Sequence, residues 1–152
     1  MFKNFGAPLD GCLLELSQVP DEVFAGKIMG DGFAIDPVTD EVVSPVNGTV
    51  TSFMTDTRHA VGITSDEGLE VLIHIGIDTV QLAGDGFVGL VGQNEKVSAG
   101  QPLLKVDLDR IRDKVPSLVS PIVFTNLPAG RTVYVQAGRM IRRGEQGFFD
   151  IR

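Results

Sequence analysis

The sequence has no tryptophan, one tyrosine, one cysteine and two histidines among its 152 residues. A single cysteine, Cys12, excludes both an internal disulfide and a thiolate metal cage, so no oxidising compartment is required. No stretch approaches the roughly 18 apolar residues of a membrane-spanning helix. The opening residues MFKNFG show no charged, apolar and small-residue leader pattern. Lys and Arg number 13 against 20 Asp and Glu, a formal charge of -7, and no basic cluster occurs. Nucleic acid and anionic membrane are therefore poor direct partners, and a basic protein suits the chain better. A cytoplasmic chain is expected.

What the sequence does have is 43% apolar residues, 18 glycines and 8 prolines. Turn signals recur about every ten residues, among them Gly30-Asp-Gly32, Pro45-Val-Asn-Gly48, Asp66-Glu-Gly68, Gly84-Asp-Gly86 and Pro128-Ala-Gly130, with short apolar or alternating runs between them. The pattern predicts an all-β fold, an antiparallel sandwich or barrel-like arrangement with one or two short helices, in a single domain over 1–152. Asp109–Val115 reads as a helix stopped by Pro116, and Val23–Met29 as one more helical turn. Two internal echoes suggest two similarly wound halves: Ala7-Pro-Leu-Asp-Gly-Cys-Leu against Ser44-Pro-Val-Asn-Gly-Thr-Val, and Val97-Ser-Ala-Gly100 against Ile141-Arg-Arg-Gly144.

The histidines sit in Thr57-Arg-His-Ala60 and Val71-Leu-Ile-His-Ile-Gly-Ile-Asp-Thr-Val80. The Asp66–Gly68 turn lies midway between them, so two antiparallel neighbours joined there would bring His59 opposite His74. Alternation puts Val71, Ile73, Ile75 and Ile77 on the core side and Leu72, His74 and Gly76 outward, with Gly76 leaving space beside the ring. Most histidines have no role beyond packing or solvation. A pair of them in apolar strands, next to Gly62 and Gly76, narrows the chemistry to a metal needing further ligands or a nucleophilic imidazole supported by a second one. The metal set would be His59, His74 and Asp78, without the i, i+4 histidine pair or thiolate that would strengthen it. A phosphoryl group suits an imidazole nucleophile, and with no lysine-bearing phosphate loop to cradle a nucleotide, the donor would be another protein.

These motifs, with Val23-Phe-Ala-Gly-Lys-Ile-Met-Gly-Asp-Gly-Phe-Ala-Ile-Asp-Pro37, Ser44–Val50 and the run from Leu72 to Phe87, resemble the glucose-type enzyme IIA of the bacterial phosphoenolpyruvate-dependent sugar phosphotransferase system, from about Ala7 to Ile151. The resemblance implies a β-sandwich that takes a phosphoryl group from the phosphohistidine of the carrier HPr and passes it to a cysteine on the IIB domain of a sugar permease. It identifies His74 as the phosphorylated residue through Nε2, His59 as the stabiliser of the bound group, Thr57 as an orienting hydroxyl and Gly76 as the carbonyl that fixes the His74 tautomer. Asp21 and Asp78 match carboxylates that face an arginine of the carrier. Val23, Phe24, Ile28, Met29, Met54, Val61, Leu72 and Val80 stand at or near positions that match an apolar partner surface, although for Ile28, Val61 and Leu72 ordinary core is the favoured reading. The implied protein is a monomer without a small-molecule cofactor; zinc enters only where a partner completes the site, and the membrane only through the permease. Few residues precede Ala7, so no membrane-touching segment is expected there. Thr49–His59 is one residue longer than the family pattern, and Val61 replaces a frequent aromatic. A regulatory binding module using the same face is the rival reading. A lipoyl-like carrier is a weaker one, because Lys27 lacks the flanking methionines.

Overall fold

The computed structural model describes residues 4–152; the first three residues of the opening MFKNFG, read above for a leader pattern, lie outside the described residues. Thirteen strands form among them: β1 (Gly11–Glu15), β2 (Asp31–Pro37), β3 (Glu41–Val43), β4 (Gly48–Phe53), β5 (Ala60–Ser65), β6 (Glu70–His74), β7 (Phe87–Gly89), β8 (Lys96–Val97), β9 (Pro102–Val106), β10 (Ser120–Phe124), β11 (Val133–Val135), β12 (Met140–Ile141) and β13 (Phe149–Ile151). Eight strands make one antiparallel sheet in the order β12-β1-β2-β10-β6-β5-β4-β8, and β3-β9-β7 and β11-β13 form smaller sheets. The fold is the expected antiparallel sandwich.

Its core joins inward residues of the large sheet, including Leu13, Ile35, Val50, Ile63, Ile73 and Ile122, to Val42, Phe87, Leu104 and Val106 of the three-stranded sheet. Burying this apolar surface is the main stabilising contribution. Phe5, Phe33, Phe124, Phe148 and Phe149 pack together at one end, with centroids 5.0 to 6.5 Å apart. A second, smaller cluster of Leu16, Val19, Phe24, Ala34, Ile77 and Val123 covers part of the other face of the large sheet.

The helices are shorter than predicted. The first, α1, spans Glu22–Ala25 and is capped by Asp21; Lys27, at a φ of 59°, and Gly30 turn the chain away before Met29 can continue it. The second, α2, spans Leu108–Ile111, begins on the Asp107 cap rather than at Asp109, and tightens into a 3-10 turn over Arg112–Lys114 before Pro116.

The sequence echoes correspond to repeated architecture. β1 pairs with β2 and β12, and β4 pairs with β5 and β8. Gly11 is opposite Ile141 as Gly48 is opposite Val97. Gly144 N donates to Ala7 O as Gly100 N donates to Ser44 O, and Arg143 N donates to Asp10 Oδ1 at 2.7 Å as Ala99 N donates to Asn47 Oδ1 at 2.8 Å. The large sheet is thus two four-stranded halves, β12-β1-β2-β10 and β8-β4-β5-β6, meeting at the β10–β6 seam. A β-bulge falls between Val50 and Ser52, within the segment read as longer; a bulge absorbs one extra residue.

Candidate functional site

β5 and β6 pair with Ala60 opposite His74, and Ile75 N donates to His59 O at 2.8 Å. The hairpin therefore brings the two histidines to one end of adjacent strands. Their ring centroids are 4.9 Å apart and the rings nearly perpendicular, at 83°. Both residues are half-buried.

His74 ends β6, and the next turn fixes its ring. Nδ1 of His74 lies 2.8 Å from Gly76 O. A carbonyl can only accept, so the proton sits on Nδ1 and the lone pair remains on Nε2. Gly76 adopts a φ of +69°, which turns its carbonyl back toward the ring and breaks the strand alternation. Ile77 consequently leaves the main core side on which alternation placed it and packs into the second cluster with Phe24. The space beside Gly76 is also filled: a Cβ there would stand 2.8 Å from Thr79 Cγ2 and 3.1 Å from Ser117 O. Gly76 serves by its backbone, not by leaving a void.

Polar groups in the core brace this turn. Gly76 N donates to Ser120 Oγ at 3.1 Å, Ser120 Oγ donates to Leu118 O at 2.9 Å, Ile77 N donates to Ser117 O, and Thr79 Oγ1 donates to Ile75 O. Ser120 and Thr79 are buried, and neither was singled out from the sequence. Ser120 was readable only as a polar residue heading an apolar strand.

Burial pushes the His59 imidazole down to about 4, with the neighbouring His74 adding to the shift. Burial also lowers His74 from its ordinary range, against the Gly76 carbonyl and the carboxylates of Asp21 and Asp78, which pull the other way. Both rings are neutral at pH 7. A neutral ring with a free Nε2 lone pair is a nucleophile, and its neutral neighbour supplies an N–H to an incoming anion. His59 Nδ1 and Thr57 Oγ1 are buried without hydrogen-bond partners, so Thr57 orients neither ring in this state.

The other candidate residues divide. Asp78 is exposed at a φ of 59°, heading the 3-10 turn Thr79–Leu82, and Asp21 Oδ1 accepts from Val23 N at 2.9 Å. Val23, Met29 and Val80 are exposed. Phe24 is not part of that surface: it is buried, its ring 4.9 Å from that of His74, and it acts as a wall of the site. Ile28, read as core, is 74% exposed, because α1 ends before it can fold inward. Phe53 is buried and Met54 is 62% exposed, which assigns Met54 to the surface. Val61 is core and Leu72 is half-buried. Among the described residues no group of three His, Cys, Asp or Glu converges as a metal site, so His59, His74 and Asp78 do not assemble as one. No helix among the described residues is long and apolar enough to cross a membrane.

Comparison with known proteins places this arrangement in context. The family profile described as "phosphoenolpyruvate-dependent sugar phosphotransferase system, EIIA 1" matches residues 3–129. The chain is 47% identical over 140 residues to the PTS system glucose-specific EIICBA component of Staphylococcus carnosus (strain TM300), a match covering 92% of this chain and 20% of that protein. The chain thus spans about a fifth of the length of that relative. Among solved structures, glucose permease IIA from Mycoplasma capricolum matches with a TM-score of 0.85 and 40% identity, over 95% of this chain and 93% of that one.

Proposed function

The chain belongs to the EIIA 1 family of the phosphoenolpyruvate-dependent sugar phosphotransferase system, and on that premise we propose the route by which it handles a phosphoryl group. It is a phosphotransferase component of sugar transport. In our reading Nε2 of His74 attacks the phosphorus of phosphorylated HPr. The carrier's N–P bond breaks with its electron pair returning to the carrier imidazole, and a new N–P bond forms on His74. A cysteine thiolate of a IIB domain then attacks the same phosphorus and releases the His74 ring. The supporting observation is the pairing of a His74 ring whose Nδ1 is tied to Gly76 O with a neutral His59 ring 4.9 Å away.

His59 donates to the phosphoryl oxygens, and Thr57, whose hydroxyl is unpartnered, joins once the anion arrives. Asp21 and Asp78 attract a cationic carrier, and Val23, Met29, Met54 and Val80 form the apolar contact around the site. The intermediate is a covalent phosphohistidine, with no small-molecule cofactor. The acceptor is the IIB domain of a glucose permease, since both relatives carry glucose in their names. The unit acts as a monomer on the cytoplasmic side and reaches the membrane through that permease.

The test is incubation with enzymatically phosphorylated HPr followed by intact mass measurement. One acid-labile phosphoryl increment is expected on the wild-type chain and none on His74→Gln. An unchanged wild-type mass would refute the relay, and an equal increment on His74→Gln would refute the residue.

A further inference from the structure

The registered pairing of β10 with β6 runs from Phe124 to Ile122, opposite Ile73, and stops there. The next residue of β10 is Pro121, which has no N–H to extend the ladder, and β6 itself ends at His74. The segment that follows, Ile75 to Ile77, is held by other bonds. Two of them clamp one peptide group from opposite ends: Gly76 N donates to Ser120 Oγ at 3.1 Å, and Ile75 O accepts from Thr79 Oγ1. Ser120 Oγ gives its own proton to Leu118 O at 2.9 Å, which leaves a lone pair for Gly76 N.

Both hydroxyls are fully buried, and the rest of β10 is Pro, Ile, Val and Phe, all buried as well. A hydroxyl is unfavourable at such a position except through the bonds it makes. The peptide held here bears on the chemistry. Glycine has the widest backbone freedom of any residue, and the φ of +69° at Gly76 directs its carbonyl to His74 Nδ1 at 2.8 Å. Among the described residues that carbonyl is the only hydrogen-bond partner of the His74 ring. Phe24, with its centroid 4.9 Å away, limits the tilt of the ring and offers no acceptor. An imidazole without such an acceptor divides its proton between its two nitrogens, and a ring protonated on Nε2 has no lone pair there to attack with. The peptide after Gly76 is held by backbone alone, Ile77 N donating to Ser117 O at 3.0 Å, a bond that no side-chain replacement removes.

We infer that Ser120 and Thr79 are positioning residues for phosphoryl transfer: by fixing the Ile75–Gly76 peptide between them they hold the Gly76 carbonyl on Nδ1 of His74 and keep the Nε2 lone pair available for attack. The inference rests on the relay reading above. Neither residue touches the reacting atoms, so their effect falls on the rate of the transfer step and leaves the docking surface as it is.

The experiment compares wild type with Ser120→Ala, Ser120→Thr, Thr79→Val and, as a control, Ser44→Ala, which removes a buried hydroxyl that donates to Val46 O at 2.7 Å in the turn between β3 and β4. Circular dichroism confirms each fold. Ring-nitrogen NMR shifts at neutral pH are expected to place the His74 proton on Nδ1 in wild type and Ser44→Ala, and to show both tautomers in Ser120→Ala and Thr79→Val. In those two variants kcat for phosphoryl uptake from phosphorylated HPr should fall about tenfold with KM unchanged. Ser120→Thr, which keeps the oxygen, should recover most of that rate. If Ser120→Ala does not fold, Thr79→Val, which keeps the side-chain shape, carries the same test at the other end of the peptide. A wild-type tautomer in folded Ser120→Ala or Thr79→Val, or a tautomer shift with unchanged kcat, would overturn the inference. So would a loss confined to KM, or an equal loss in Ser44→Ala. A wild-type chain that takes no phosphoryl group would instead refute the relay, while the ring nitrogens would still report whether Ser120 and Thr79 set the tautomer.

Discussion

At the scale of single residues, the proposed chemistry depends on two rings that burial keeps neutral. His59 is depressed by burial and by its neighbour to about 4, against about 6.5 in the unfolded chain. Between those values the unfolded chain binds a proton that the folded one refuses, so stability is full above pH 6.5, falls as the pH drops toward 4, and levels off below. Thermal midpoints measured across pH 7 to 4 should therefore decline, and the decline should be smaller in His59→Gln; identical profiles would show that His59 does not titrate as its burial requires. A phosphoryl dianion on His74 reverses the local balance, and the His59 pKa should rise in the phosphorylated protein, a change visible in the imidazole proton shifts during a pH titration. Replacing His59 by Ala should slow transfer to and from His74 about 100-fold or more while His74 remains the residue modified, as loss of one anion-stabilising donor does elsewhere; a rate within a few-fold of wild type would remove His59 from the mechanism.

At the scale of elements, the site is a hairpin end and a strained turn, closed on one side by a short helix. Gly76 must hold a φ of +69° against Thr79 and Ser117, so Gly76→Ala should destabilise the fold by about 1–3 kcal/mol in denaturant unfolding and also slow transfer by releasing the His74 ring. Stability close to wild type would mean that the turn relaxes elsewhere. On α1 the two roles of Asp21 can be separated. Asp21→Asn retains an N-cap acceptor for Val23 N but removes the charge, whereas Asp21→Ala removes both. The alanine variant should lose about 1 kcal/mol of stability and the asparagine variant little, while both raise KM for HPr. Equal KM values for Asp21→Asn and wild type would confine Asp21 to capping. These elements also mark what was legible beforehand. The turn at Asp66–Gly68 was visible in sequence, and with it the proximity of the histidines, because antiparallel pairing follows from a short reversal. The inward path of Phe24, the exposure of Ile28 and the filled space at Gly76 were not, because each depends on one backbone angle that breaks a periodic pattern. The braces from Ser120 and Thr79 come from residues distant in sequence or hidden among apolar ones, which local patterns do not weigh.

At the scale of the molecule, the two halves of the large sheet share their hydrogen-bonding scheme but not their chemistry. Register carries His74 of β6 onto Val123 of β10, since Ala60 is opposite His74 as Gly32 is opposite Val123, and it carries His59 onto Asp31. Where the second half has the histidine pair, the first has an apolar residue in the cluster around Phe24 and a carboxylate that accepts from Val133 N and pairs with Lys27. One half carries the site and the other helps to wall it. The halves are also interlocked: β1, β2, β10 and β12 come from both ends of the chain and enclose the contiguous β4–β8 segment, and the β10–β6 seam joins Ile122 to Ile73 in the middle of one core. Because neither half closes its sheet or buries its inner face alone, unfolding should be cooperative. Denaturant transitions followed by far-ultraviolet circular dichroism, by the fluorescence of Tyr134 in β11, tied to the first half through Val133 N and Asp31, and by the His59 and His74 imidazole resonances in the second half should coincide in midpoint. A His-site transition preceding the Tyr134 transition would show that the second half melts independently, and that the repeated halves are partners in position but not in stability.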